Sequence, residues 1–239
     1  MKIDILSLFP EMFDGFLNTS IIKRAIDAKL VEVNIHDFRE YANNKHHHVD
    51  DYPYGGGQGM VLMCQPILDC LKTLVTKDSL VILMSPQGRT LTQEYSQELS
   101  LEKHLIIICG HYEGFDERIR DYVDVELSIG DYVLTGGELA SMVTCDSVIR
   151  LLEGAIRESS HVDDSFSDGL LEYPQYTRPF EYDGNQVPEV LMSGHHEKIR
   201  QWRLYQSLLK TYHKRPDLLE KRQFSEEELQ ILKEIQKND

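Results

Sequence analysis

Three short apolar runs in the middle of the chain each lead into a loop that contains glycine. The runs and their loops are residues 80–84 before SPQG (85–88), residues 105–109 before Gly110, and residues 123–127 before SIG (128–130). Apolar runs of this length, bounded by turn residues, predict buried strands. Because open α/β sheets bind ligands at the carboxyl ends of their strands, the three loops are expected to enclose one ligand site.

The remaining periodicity predicts a sheet of parallel strands covered by helices. Two further strands are predicted at 2–9 and 31–38, and helices are predicted at 20–29, 65–74, 115–120 and 138–152, with another starting at a capping box, TLTQ, at 90–93. Strands that alternate with helices favour the α/β class.

Organisation changes after Gly154, where the chain becomes acidic, polar and rich in turn-forming residues. Helical spacing returns at 198–212 and at 225–236, and the second of these helices begins with another capping box, SEEE. The sequence therefore predicts three segments: an α/β domain at 1–158, a flexible linker at 159–182 and a helical domain at 183–239.

Composition limits the setting in which the chain works. The longest apolar runs are about five residues, far short of a membrane span of about 20 residues, and no signal peptide is evident. The four cysteines form no C-x-x-C pair. The interpretation is four reduced thiols in a cytoplasmic protein, with a zinc or redox site as the alternative.

Charge gives opposite indications for nucleic-acid binding. The formal net charge of -15 argues against a polyanionic partner, whose affinity depends on Lys and Arg at phosphates. Residues 198–222 nevertheless hold eight Lys and Arg against two acids. This basic region predicts either a phosphate-binding surface or a solvated helix face.

A polar loop at 39–60 contains two conspicuous motifs. His46, His47 and His48 are adjacent, so in an extended segment their side chains point to alternate faces and do not easily share one metal ion. The glycine cluster at 55–59 lacks the Gly-Lys-Ser/Thr ending of a phosphate-binding P-loop. Close approach of the backbone to a ligand or partner is the preferred interpretation.

The central loops carry groups that suit a nucleoside. Their glycines could place backbone N–H and C=O groups against an adenine-like edge, and Tyr112 and Tyr132 offer flat faces. A purely structural role for the glycines is the alternative. In the polar segment, Asp168 precedes Gly169, which is typical either of a general base on a segment that folds over a substrate or of a solvated acid.

A set of motifs in one order links the chain to a known family. They are LSLFP (6–10), VDDYPYGGG (49–57), SPQG (85–88), CGHYEG (109–114), SIGDYVLTGGE (128–138), DGLL (168–171), YTRP (176–179) and SGHH (193–196). Over essentially its whole length the chain resembles the bacterial tRNA (guanine-N1)-methyltransferases, members of the SPOUT class.

The resemblance implies a fold and a methyl donor. The fold is an α/β domain whose parallel sheet contains a deep trefoil knot, with a small all-helical, tRNA-binding C-terminal domain. The donor is S-adenosylmethionine, and by matching motifs its site comprises Pro86, Gly110, Tyr112, Glu113, Ile129, Gly130, Tyr132, Leu134, Gly136 and Gly137. The family also responds to Mg²⁺, but the motifs identify no ligand set for it; Glu113 and Asp168 are only guesses.

The resemblance also implies an acceptor and an assembly. The acceptor is N1 of guanosine 37 beside the tRNA anticodon, preceded by guanosine 36, and its methylation maintains the reading frame. Asp168 matches the general base and Arg150 the arginine that supports the guanine. The family forms homodimers with shared active sites.

Two alternatives have different consequences. A SPOUT methyltransferase acting on ribosomal RNA is disfavoured because the match includes the C-terminal helices. A catalytically silent RNA-binding module is disfavoured by Asp168 and Arg150 in their motifs.

Overall fold

The computed structural model describes residues 1–156, 164–220 and 222–238. The chain divides into two compact units, Met1–Glu158 and Ser159–Asp239. Each unit has hydrophobic clusters of its own.

The first unit is built on a five-stranded parallel sheet. The strands described in the first unit are β1 (Lys2–Ser7), β2 (Glu32–Asp37), β3 (Asp50–Asp51), β4 (Val61–Leu62), β5 (Ser79–Thr90), β6 (His104–Ile108) and β7 (Val125–Ser128). The sheet order is β2-β1-β6-β5-β7, while β3 and β4 form a separate antiparallel pair. The predicted α/β class and its parallel sheet are confirmed.

Helices cover both faces of this sheet. They are α1 (Asp14–Leu17), α2 (Ser20–Asp27), α3 (Cys64–Leu74), α4 (Gln93–Ser100) and α5 (Glu138–Ile149), with 3-10 turns at Pro10–Phe13, Phe38–Tyr41 and Glu117–Tyr122. Along β6, Leu105 and Ile107 pack in one cluster, and Ile106 and Ile108 pack in the other. The central strands are uniformly apolar because both of their faces are buried.

The start of α4 differs from the prediction. Strand β5 continues to Thr90, so Thr90 is not a helix cap, and Thr92 instead accepts a hydrogen bond from the Tyr95 N–H at 3.2 Å. The extension of β5 depends on Gly88, since a Cβ there would collide with the backbone of Glu126 in the neighbouring strand. Local sequence patterns do not reveal this long-range contact. The helix predicted at 115–120 also differs from the prediction, because the structure has a 3-10 helix at Glu117–Tyr122.

A polar cluster interrupts the apolar interior at Asp4. This fully buried carboxylate lies 2.7 Å from His104 Nε2 and 2.9 Å from His36 Nε2, and it also accepts hydrogen bonds from Lys2 and Asn34. Burial by itself raises the pKa of Asp4, but these hydrogen bonds outweigh it and lower the pKa to about 2.

Asp4→Asn is expected to lower the free energy of unfolding by about 2 kcal/mol at pH 7. Because the folded-state pKa of Asp4 lies below its ordinary value of 3.8, the stabilisation is present above pH 4 and is lost as the pH falls toward 2. Urea unfolding at pH 7 and pH 3 measures this, and the difference between variant and wild type should roughly halve at pH 3. Asp27→Asn, which removes an exposed partner of Lys23, is the control. An undiminished difference at pH 3 contradicts the assignment.

The second unit contains a hairpin and a group of helices. Its described elements are β8 (Glu181–Tyr182), β9 (Asn185–Gln186), α6 (Glu189–Met192), α7 (His196–Lys214), α8 (Pro216–Glu220) and α9 (Glu226–Asn238). Leu170, Leu208, Leu232 and Ile235 form its buried core. The core therefore includes a residue from the predicted linker, whose flexibility stays a prediction.

The capping box predicted at Ser225 is confirmed. Ser225 Oγ accepts from the Glu228 N–H at 3.2 Å, and Glu228 Oε2 accepts from the Ser225 N–H at 2.7 Å. Two N–H groups at the start of α9 are thereby satisfied.

Within the described ranges, no helix is both long and apolar enough to cross a bilayer.

Candidate functional site

A cavity of about 380 Å³ lies at the carboxyl ends of β6 and β7, beside the second half of β5. Its walls come from residues 85–87, which were predicted to be a loop but lie within β5, and from the loops at 110–114 and 128–137. The volume suits a small-molecule ligand. All ten residues named above for the methyl donor line it: Pro86, Gly110, Tyr112, Glu113, Ile129, Gly130, Tyr132, Leu134, Gly136 and Gly137.

Two of the loops are joined by backbone contacts. The Gly137 N–H donates to the Gly110 carbonyl at 2.8 Å, and His111 and Gly136 form an isolated antiparallel bridge. A Cβ on Gly137 would lie 2.8 Å from both Cys109 Cα and Gly110 N. This approach of two backbone segments requires glycine at 137.

The loop at 128–137 turns sharply at Gly130. The Ser128 hydroxyl contacts both backbone groups of Gly130, accepting from its N–H at 3.2 Å and donating to its carbonyl at 3.1 Å. Gly130 has a φ of 144°, and a Cβ there would lie 2.7 Å from the Tyr132 ring. Tyr112 and Tyr132 remain about half exposed, so their rings are available to a ligand.

Charged groups occupy one side of the cavity. Arg120 lines it together with Glu113 and Glu117. The Arg120 guanidinium is ion-paired with Glu126 and with Glu117, the latter at 3.0 Å. The cavity thus presents carboxylates together with one cation that is held in place.

Sequence reasoning did not assign Glu117 and Gln87 to this site. Gln87 lines the cavity and accepts from Arg120 Nη2 at 3.3 Å. Its position inside the SPQG motif was the available signal. Glu117 reaches the cavity through the 3-10 helix after β6, which was predicted as a short helix at 115–120 but was given no role in the site.

The two residues assigned to catalysis lie apart from the walls of this cavity. Arg150 caps α5, and its N–H bonds to the Asp146 carbonyl at 3.2 Å. Asp168 belongs to the second unit. Neither residue is among those that line the first cavity.

Asp168 sits in a tight turn that is anchored to the second unit's core. Its Oδ1 accepts from the Leu170 N–H at 3.1 Å, and the Phe166 N–H donates to the Leu170 carbonyl at 2.7 Å. Leu170 is buried, whereas the Asp168 side chain is 59% exposed. The turn is therefore fixed while its carboxylate is accessible.

A second cavity, of about 490 Å³, lies within the second unit, and Asp168 is on its wall. Arg203, on α7, also lines it and stacks over the Tyr173 ring, with 4.6 Å between Cζ and the ring centroid. This cavity was not predicted, because it depends on how residues 164–173 pack on α7.

Many cations of the basic region have partners inside the second unit. Arg200 pairs with Glu197 and Glu227, Arg215 pairs with Asp217, and Lys210 donates to the Glu172 carbonyl at 2.7 Å. Lys198 and Lys214 are exposed. These two lysines are the better candidates for contact with a polyanion.

The described residues contain no group of three or more His, Cys, Asp or Glu side chains that could hold a metal ion. The two candidate Mg²⁺ ligands, Glu113 and Asp168, belong to different units.

Burial raises the pKa of Cys70 and Cys145 to about 12 and that of Cys109 well above its ordinary value. These three thiols therefore stay protonated at neutral pH.

Comparison with known proteins identifies the family. The model of the family described as tRNA (Guanine-1)-methyltransferase TrmD matches residues 1–221. The chain belongs to this family. The resemblance drawn from the motifs is therefore confirmed.

Relatives within the tRNA (guanine-1)-methyltransferase family match from end to end. A tRNA (guanine-N(1)-)-methyltransferase from Streptococcus gordonii is 60% identical over 239 residues, covering 100% of this chain and 98% of the relative. One from Staphylococcus haemolyticus is 57% identical over 240 residues, covering 99% and 98%.

Proposed function

We propose that this protein transfers a methyl group from S-adenosylmethionine to N1 of guanosine 37, in tRNAs that carry guanosine 36. Methylation at this position maintains the reading frame, and a tRNA substrate puts the reaction in the cytoplasm. The observation that carries the proposal is the meeting of all ten donor-site residues around one cavity in a member of this family.

The first cavity fits the chemistry of the donor. Apolar side chains of Pro86, Ile129 and Leu134 line it beside exposed backbone of the glycine loops, as a flat adenine ring requires. Glu113 and Glu117 are complementary in charge to the sulfonium and to the amino group of the donor's amino acid tail. Arg120 is complementary in charge to the carboxylate of that tail. When bound, the donor supplies a methyl group already activated by a positively charged sulfur.

The protein must remove the proton from guanine N1 and stabilise the negative charge that develops on the base. Guanine N1 carries a proton and is a weak nucleophile, so the methyl group can be accepted only as that proton leaves. In the proposed mechanism Asp168 takes the N1 proton, and Arg150 faces the negative charge that develops at O6. Support comes from the accessibility of the Asp168 carboxylate and from its fixed turn.

Mapping the methylated nucleotide tests the proposal directly. Purified protein is incubated with labelled donor and tRNA transcripts that carry G36 or a substituted residue 36. The expected result is label at N1 of guanosine 37 in the G36 transcript alone. Binding of tRNA without transfer, or label at another nucleotide, contradicts the proposal.

The knot and the dimer are also proposed. Support comes from Gly137 beside Cys109, where two loops distant in sequence pass at backbone contact. In the proposed homodimer, each site combines the first cavity of one protomer with the partner subunit's Asp168.

Mixed dimers are expected to recover activity lost in either parent. If Asp168→Asn is co-expressed with Tyr132→Ala, half of the dimers are mixed, and each mixed dimer has one intact site. Activity should return to about a quarter of the wild-type value, since one site in four is intact. Separately tagged chains verify the mixing. Activity no greater than the sum of the two parents contradicts sharing.

The second unit is proposed to bind the tRNA backbone through exposed lysines. Lys198→Gln and Lys214→Gln are each expected to weaken tRNA binding and to reduce the slope of log affinity against log salt by about 1. Filter binding between 50 and about 200 mM salt measures the slope. Lys77→Gln, which removes an exposed charge from the first unit, is the control. Unchanged slopes for both α7 variants place the RNA on another surface.

A further inference from the structure

The Asp168 turn has a cation beside it that comes from far along the chain. Arg222 Nη2 lies 3.6 Å from Asp168 Oδ2, and Nη1 lies 3.5 Å from the place where a Cβ on Gly169 would be. The Arg222 side chain is only 17% exposed. The guanidinium thus lies against the Asp168-Gly169 turn and is shielded from solvent.

Arg222 is also held by a buried carboxylate. Its Nη2 donates to Glu228 Oε1 at 2.7 Å, and Glu228 also closes the capping box at the start of α9. Burial by itself raises the pKa of Glu228, but hydrogen bonds from Ser225 and Arg222 outweigh it and lower the pKa. Glu228 is therefore a fixed anion that orients Arg222.

The orientation of the Arg222 side chain has a free-energy cost that its ion pair with Glu228 does not account for. Arg222 Nε is buried and has no hydrogen-bond partner among the described residues. An unsatisfied buried donor costs about 1–3 kcal/mol. The same orientation directs the terminal nitrogens toward the turn that carries Asp168.

We infer that Arg222 is a positioning residue for Asp168, an inference that rests on the proposed role of Asp168 as general base. The Leu170 N–H holds Oδ1, and the Arg222 charge faces Oδ2, so both carboxylate oxygens are oriented. At 3.6 Å the pair is longer than a hydrogen bond, so Oδ2 remains available to the guanine N1–H.

Other charged groups lie near Asp168. Those that line the same cavity are Asp164, Glu172, His196, Arg200 and Arg203. Arg200 is paired with Glu197 and Glu227, and Arg203 is stacked on Tyr173. Arg222 faces the Asp168 carboxylate itself, at 3.6 Å, and this makes it the residue to vary.

The test is the rate of single-turnover methyl transfer by Arg222→Gln and Arg222→Lys, measured beside their donor and tRNA affinities. Arg222→Gln is expected to be about tenfold slower, with donor and tRNA affinities within about twofold of wild type. Arg222→Lys keeps a cation facing the carboxylate and should recover most of that rate, and circular dichroism checks that both variants are folded.

Lys233→Gln on α9 removes the same charge at an exposed position and serves as the control; its rate should not change. A wild-type rate in Arg222→Gln overturns the inference. Equal loss of rate in Arg222→Gln and Arg222→Lys, or a loss of donor or tRNA affinity together with the rate, indicates a merely structural role and overturns it too. Asp168→Asn is run in parallel: full turnover there refutes the proposed base itself, whereas an inactive Asp168→Asn with unaffected Arg222 variants refutes only the positioning role.

Discussion

Asp168→Asn is expected to lose methyl transfer by about 100-fold or more while still binding S-adenosylmethionine. An amide has nearly the same shape as the carboxylate and can keep the hydrogen bond from the Leu170 N–H. It cannot take a proton from guanine N1, so the chemical step loses its general base. Single-turnover kinetics measure the loss, and calorimetric titration measures donor binding, expected within about twofold of wild type because Asp168 lies outside the first cavity.

Asp183→Asn provides the matched control, since it removes an exposed acid from the hairpin of the same unit. Asp183 has a φ of 49°, a conformation that asparagine also tolerates, so the fold is not disturbed. The control should turn over normally. Near-normal turnover in Asp168→Asn would assign the base to another group.

Gly137→Ala is expected to weaken donor binding by at least about tenfold. The added methyl would lie 2.8 Å from Cys109 Cα and from Gly110 N, and neither backbone atom can rotate away. The loops at 110–114 and 128–137 must therefore separate, and the hydrogen bond from the Gly137 N–H to the Gly110 carbonyl is lost. Calorimetric titration with S-adenosylmethionine measures the effect, and thermal unfolding records any accompanying loss of stability.

Gly15→Ala adds the same methyl group where no atom lies within 4 Å. Gly15 is in α1, where alanine is the better helix former, so donor affinity and stability should be preserved or slightly improved. If Gly137→Ala binds the donor as tightly as Gly15→Ala does, the first cavity is not the donor site.

Prediction of the fold succeeded where the pattern was local. Four of the five strands of the main sheet and helices α2, α3, α5, α7 and α9 lie where periodicity predicted them, with ends shifted by a few residues. The fifth strand, β5, begins where predicted but continues to Thr90, through the residues 85–88 that were predicted to be a loop. The short elements β8, β9, α6 and α8 were not predicted. They contain too few residues for periodicity to register.

The candidate site was likewise predicted where its signal was local in sequence and missed where it depended on distant contacts. Glycine loops after apolar runs indicated one ligand site, and the motif match named ten residues that the structure gathers around one cavity. The pairing of Arg222 with Asp168 joins positions 54 residues apart, through a capping box that sequence patterns treated only as the start of a helix. Arg203 and Lys210 looked like surface cations, but they pack against residues 172 and 173.

By itself the sequence determined the class of the sheet, the order of its strands along the chain, the capping box of α9 and the family. These properties depend on residue type and spacing, which are present in the unfolded chain. Only the tertiary structure decided that Gly137 must approach Cys109, that β5 continues past Gly88, and that Arg222 lies beside Asp168. Each is a contact between segments distant in sequence, and its geometry exists only once the backbones are packed together.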